Sequence, residues 1–171
     1  MSYTYESSEM FLEVVRLEYQ NELDRTKVID SKIAVALPII ATYFFLAVQF
    51  SNLKKLVSTP IVSKSLLGAT LEIMIPFSYI AALSLASLSL LFMFKAISTH
   101  SYQTVDPKQF NTAEQMSLQK AQFAAAFSTI YIRALEANSS QNNVRAKHYM
   151  LGWRLALISL ACFVIHVIIR K

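Results

Sequence analysis

Residues 73–94 read IMIPFSYIAALSLASLSLLFMF, an apolar run without a formal charge. An α-helix needs about 20 mostly apolar residues to cross the roughly 30 Å hydrocarbon core of a bilayer. This run meets that length alone, so it decides the solvent of the molecule and with it the fold class. Two further runs flank it. Ile33–Phe50 is a little shorter and carries no charge, and Leu155–Ile169 is shorter still, with His166 as its one basic group. The third run reaches the length of a span only if it starts at Tyr149 and lets Arg154 snorkel to the interface.

Composition agrees. The chain has 171 residues, is 54% hydrophobic and only 16% charged, against about 25% charged in an ordinary soluble domain. It has two glycines, Gly68 and Gly152, too few for a turn-rich β fold or a phosphate-cradling loop. Continuous apolar runs exclude the short alternating strands of a membrane barrel. The expectation is an all-α integral membrane protein of two to three transmembrane helices plus amphipathic cytoplasmic helices. As one membrane domain over 1–171 it divides into an amphipathic helix at 5–30, spans at 33–50 and 69–95, a cytoplasmic or interfacial helix at 111–137, and a third span at 149–169. No cleavable leader is expected, because the segment before the first span is rich in Glu and lacks an apolar core near its start.

In 5–30, Phe11, Leu12, Val15, Tyr19, Leu23 and Ile29 fall on one face at helical spacing, supported by Glu13/Arg16 and Glu22/Arg25 at i, i+3. Nothing interrupts this pattern before the first span, so both read as one long helix, with Pro38 a candidate kink. In the second span Ser78, Ala82, Ala86 and Ser89 form a small-residue stripe, read as a helix-packing face or, less well, as a pore lining. An Asp106-Pro107 turn precedes a helix cap at Asn111 or Thr112, with Glu114 or Gln115 three residues on. Ala121–Ile132 is apolar but too short to span, so it needs a helix or the interface to cover it. Asn138–Asn143 reads as a polar loop, and Arg145, Lys147, Tyr149, Trp153 and Arg154 as the basic, aromatic shoulder of a span. Basic residues on the N-terminal segment and the Ser98–His148 region outnumber those elsewhere, which puts both in the cytoplasm.

Chemistry is sparse. His100, His148 and His166 are far apart and lack neighbours at ligand spacing, so neither metal nor cofactor is expected. No nucleophile elbow or acid–base constellation is present, so no enzyme is expected. His166 and Arg170, at i, i+4, read as a snorkelling pair, and Cys162 as a structural thiol. The net charge of +5 is explained by basic residues at span ends rather than by nucleic acid.

The stretch Leu17–Lys32 (LEYQNELDRTKVIDSK), running straight into an apolar span, resembles small membrane effectors of bacterial antiviral defence. These are the two-span effectors of cyclic-nucleotide and retron systems and the membrane accessory proteins of type VI-B CRISPR systems. The resemblance covers this stretch and its entry into the span, a small part of the chain, through a loose pattern: an acidic–basic helix, Ile-Asp-x-Lys, then the membrane. It implies a homo-oligomeric pore or channel-like effector of the bacterial inner membrane, whose partners are itself, the bilayer, and a soluble defence nuclease or its signal. The Arg…His ribonuclease motif described for some accessory proteins is missing, so RNA cleavage is not implied. The alternative function is a non-conducting anchor recruiting a soluble partner. For a pore, the polar lining candidates are Ser7, Ser8, Glu9, Glu13 and Arg16 on the N-terminal helix. Asp106 and Asn111 are assigned to holding the cytoplasmic loop. Trp153 is read as an interfacial anchor or inter-subunit contact, beside Arg154.

Overall fold

The computed structural model describes residues 6–49, 65–98, 102–106 and 119–169, without the side chains of Glu6, Ser7, Leu67, Ala69, Leu71 and Glu72. Among the described residues there are three helices and no strand: α1, Glu6–Gln49; α2, Leu66–Ser98; and α3, Lys120–Ile169. Each is long and apolar enough to cross a membrane. The all-helical class stands, with three candidate spans.

The five expected helices condense into these three. The amphipathic helix and first span are one helix of 44 residues, with Pro38 inside it. The helix expected to stop at Ala137 and the third span are likewise one helix of 50 residues. At 1.5 Å per residue α1 is about 66 Å long and α3 about 75 Å, roughly twice a hydrocarbon core or more. A helix of either length that crosses a bilayer carries a substantial part outside the lipid tails. The loop expected at Asn138–Asn143 is helix. Its polarity has another cause: Ala134, Asn138, Asn142 and Arg145, spaced four, four and three, form a buried face. The Asn111 cap, the rest of the segment before Gln119, most of the connector after the first span, and Arg170 lie outside the described residues.

Contacts divide the chain into two compact units, residues 1–30 with 99–145, and residues 31–98 with 146–171. In the first unit α1 buries Val15, Tyr19 and Ile29 of the face expected for it, together with Thr26, while Phe11 is half exposed. Ala124, Ser128 and Ala134 of α3 are buried too, and Tyr19 meets Tyr131 edge to face with ring centres 5.3 Å apart. The apolar half-turns of Ala121–Ile132 thus pack on a helix.

In the second unit, Ala82, Ala86 and Ser89 of α2 are fully buried. The small-residue stripe is a packing face inside the chain. Gly152 of α3 sits so close that a Cβ there would lie 3.2 Å from the Ser89 carbonyl oxygen and 3.1 Å from Met93 Cε. Ala36, Ile40, Met93 and Ala156 form the core, with Tyr149 and Trp153 packed against it. Trp153 is therefore a core contact of its own chain.

Candidate functional site

The first unit contains a buried polar cluster that joins α1, α3 and the non-helical segment 102–106. It is built on α3. Asn138 and Asn142 are fully buried and Arg145 is 1% exposed, each one turn from the next. A buried polar group costs stability unless it is hydrogen-bonded, and all three have partners. The Asn138 side-chain amide reads the main chain of Gln103 at both ends. Its Oδ1 accepts from the Gln103 N–H at 3.0 Å and its Nδ2 donates to the Gln103 carbonyl at 3.1 Å. Tyr19 adds a hydroxyl at 3.3 Å from that same carbonyl.

Asn142 ties the other two elements together. Its Oδ1 accepts from the Tyr102 hydroxyl at 2.8 Å, and its Nδ2 donates to Glu22 Oε1 at 2.8 Å and to Thr26 Oγ1 at 3.0 Å. The Thr26 hydroxyl donates back along α1 to the Glu22 carbonyl at 3.0 Å. Arg25, beside it, bonds Glu22 at 3.2 Å and Asn143 at 2.8 Å. Arg145 donates to Asp30 Oδ1 and to the Tyr102 hydroxyl. Its guanidinium carbon stands 5.8 Å from the Tyr102 ring centre; with the hydroxyl between them, this is an edge contact and not a face-on cation–π stack. Sequence reading places Arg145 in a membrane-interface shoulder. It is instead the buried end of an ion pair, because Asp30, 115 residues away, supplies its counter-charge.

The second unit turns five polar side chains inward, those of Tyr43, Tyr79, Ser89, Ser159 and His166. Tyr43 bonds Ser159 at 2.9 Å, and Ser159 donates to the Ala82 carbonyl at 2.6 Å. Ser89 donates to the Gly152 carbonyl at 2.7 Å, and Tyr79 to the Ala47 carbonyl at 2.8 Å. His166 is 3% exposed, with Nδ1 2.9 Å from the Ile75 carbonyl and its ring beside Tyr79 and Phe163. It packs between helices, which overturns the snorkelling role expected for it.

The expected pore-lining residues lie along the first turns of α1 and do not converge with this cluster. Ser8 is half-buried; Glu9, Glu13 and Arg16 are exposed, and Glu9 pairs with Lys120 at 2.7 Å. Asp106, exposed, ends the 102–106 segment; Arg154 is exposed on α3; the Ser7 side chain and Asn111 lie outside the described residues. Sequence reasoning misses Asn138, Asn142, Tyr102 and Thr26. The i, i+4 spacing of the two asparagines is the available signal, and their loop-like neighbours mask it. Among the described residues, no three His, Cys, Asp or Glu side chains gather as a metal site would need. No family model, curated protein or solved structure matches this chain.

Proposed function

We propose that this chain is a membrane effector that self-associates in the bacterial inner membrane, N-terminus cytoplasmic, and permeabilises or depolarises it in antiviral defence. The observation that supports this best is the outward stripe of α1. Met10, Val14, Leu17 and Val28 are each at least half exposed on the charged half of the helix, with Asn21 and Asp24, both exposed, at the two intervening positions of the same repeat. Alternating steps of four and three residues are the repeat by which helices pack on copies of themselves, and polar residues in such a seam set its register at a cost in stability. Each α1 continues into an apolar segment, so copies inserted in one membrane meet in parallel. Tyr43, Tyr79, Ser89, Ser159 and His166 of the second unit bond within the chain, so the proposed water path runs between copies. A soluble defence nuclease or its signal is the partner that would set it off.

The test is a voltage-sensitive dye in cells producing the wild type or the double variant Val14→Glu, Leu17→Glu at equal abundance. The wild type depolarises, and its detergent particle holds several 19.3 kDa chains; the variant does neither. A monomeric wild-type particle, or cells that keep their potential, would reject the effector reading. The inward-turned polar groups favour one other reading, a non-conducting anchor whose charged unit recruits a soluble partner. It requires an unchanged membrane potential together with co-purification of that partner.

A further inference from the structure

Residues 102–106 have no helix of their own, and side chains of α1 and α3 hydrogen-bond Tyr102 and Gln103. The arrangement is that of a peptide and its receptor. Asn138, fully buried, takes one backbone N–H and gives to the same residue's C=O. Tyr19 adds a donor to that carbonyl. One residue earlier, Asn142 and Arg145 enclose a phenol hydroxyl as acceptor and donor. The Gln103 side chain itself is turned out to solvent. Main-chain hydrogen bonds that give affinity, with a side-chain position that gives specificity, are how extended peptides are recognised.

We propose that this α1/α3 groove is a binding site for an extended peptide segment. Its ligand presents a tyrosine followed by a residue with a free backbone N–H, and in the resting chain Tyr102–Gln103 fills it as a resident ligand. A segment of the same chemistry added from outside competes for the groove, and the resident segment is the part that leaves.

The probe is the capped peptide acetyl-Tyr-Gln-Thr-Val-Asp-amide carrying a fluorophore, read by anisotropy against the full-length protein in detergent. Gln103→Pro removes the N–H that Asn138 reads and leaves every groove residue in place. This variant binds the peptide saturably, at least tenfold more tightly than the wild type, whose own segment competes. Methylating the glutamine nitrogen of the peptide, or replacing its tyrosine by phenylalanine, weakens binding at least tenfold. Adding Asn138→Leu to the variant abolishes it. Tyr102→Phe is the second background should Gln103→Pro lose helical content. No saturable binding to a helical variant at millimolar peptide overturns the proposal. So does equal binding of the methylated peptide, or loss of helical content in both backgrounds, which makes the segment part of the fold and not a ligand.

Discussion

The two ends of the Arg145–Asp30 pair live in different solvents. The guanidinium side chain is 1% exposed and the carboxylate side chain 47%. Removing one partner of a buried pair is costly because of the charge left behind, so the two deletions differ. Asp30→Ala strands a cation that water does not reach and costs about 3 kcal/mol. Arg145→Met leaves a carboxylate that water rehydrates, and loses mainly the donor to Tyr102, at about 1–2 kcal/mol. Thermal unfolding in detergent by circular dichroism should show the larger loss for Asp30→Ala; the reverse order would place the carboxylate in the drier environment. Gly152 offers a second residue-level test. An added methyl meets the Ser89 carbonyl oxygen at 3.2 Å, and backbone yields less readily than the flexible Met93 chain. Gly152→Ala should cost about 1 kcal/mol and Gly152→Leu about 3 kcal/mol or more, as overpacking does. Neither feature is legible in the sequence. A charge near a span start looks like an interface anchor unless its counter-ion is known, and here the counter-ion is on another helix.

At the level of elements, the apolar runs are legible because length and absence of charge suffice to mark a helix that lipid accepts. The stripe of Ala82, Ala86 and Ser89 is legible as a packing face for a related reason: small side chains are where backbones approach. The polar stretch Asn138–Asn143 misleads. Asparagine and serine favour turns when their side chains bond local backbone, but Asn138 and Asn142 bond to other elements and leave the helix ladder intact. Ser140, exposed on that turn of α3, separates the two descriptions. Ser140→Pro should cost about 3 kcal/mol by removing a helix hydrogen bond and crowding the preceding turn, while Ser140→Ala should be neutral. Equal melting temperatures for the two would restore the loop.

For the whole molecule, the two units rest on different physics. The first combines aromatic and aliphatic contacts with a buried hydrogen-bonded cluster whose rim, at Asp30 and Arg25, is open to water. The second closes small residues and buried polar groups inside an apolar surface that excludes water. Local opening follows such differences in buried contact and solvent access. In micelles, backbone amides of α3 at 146–166 should exchange at least tenfold more slowly than those at 120–137 of the same helix. Uniform exchange along α3 would mean that the chain opens as a single body. Polarity next to a span, the criterion that selects the first turns of α1, finds exposed side chains but not those that converge. The cluster that does converge needs three-dimensional neighbours 35 to 120 residues apart, beyond the reach of any local pattern.

The grip of Asn138 on main-chain atoms has a consequence for which sequences the groove retains. An amide that recognises only N–H and C=O is blind to the identity of the residue it holds. Saturation mutagenesis, scored by how well the segment holds the groove against added peptide, should find position 103 permissive to every amino acid except proline. Position 102, whose hydroxyl is recognised, should hold the groove with almost nothing but tyrosine. Two adjacent codons would then differ sharply in tolerance, the buried asparagine sparing one and the cluster around Asn142 and Arg145 constraining the other.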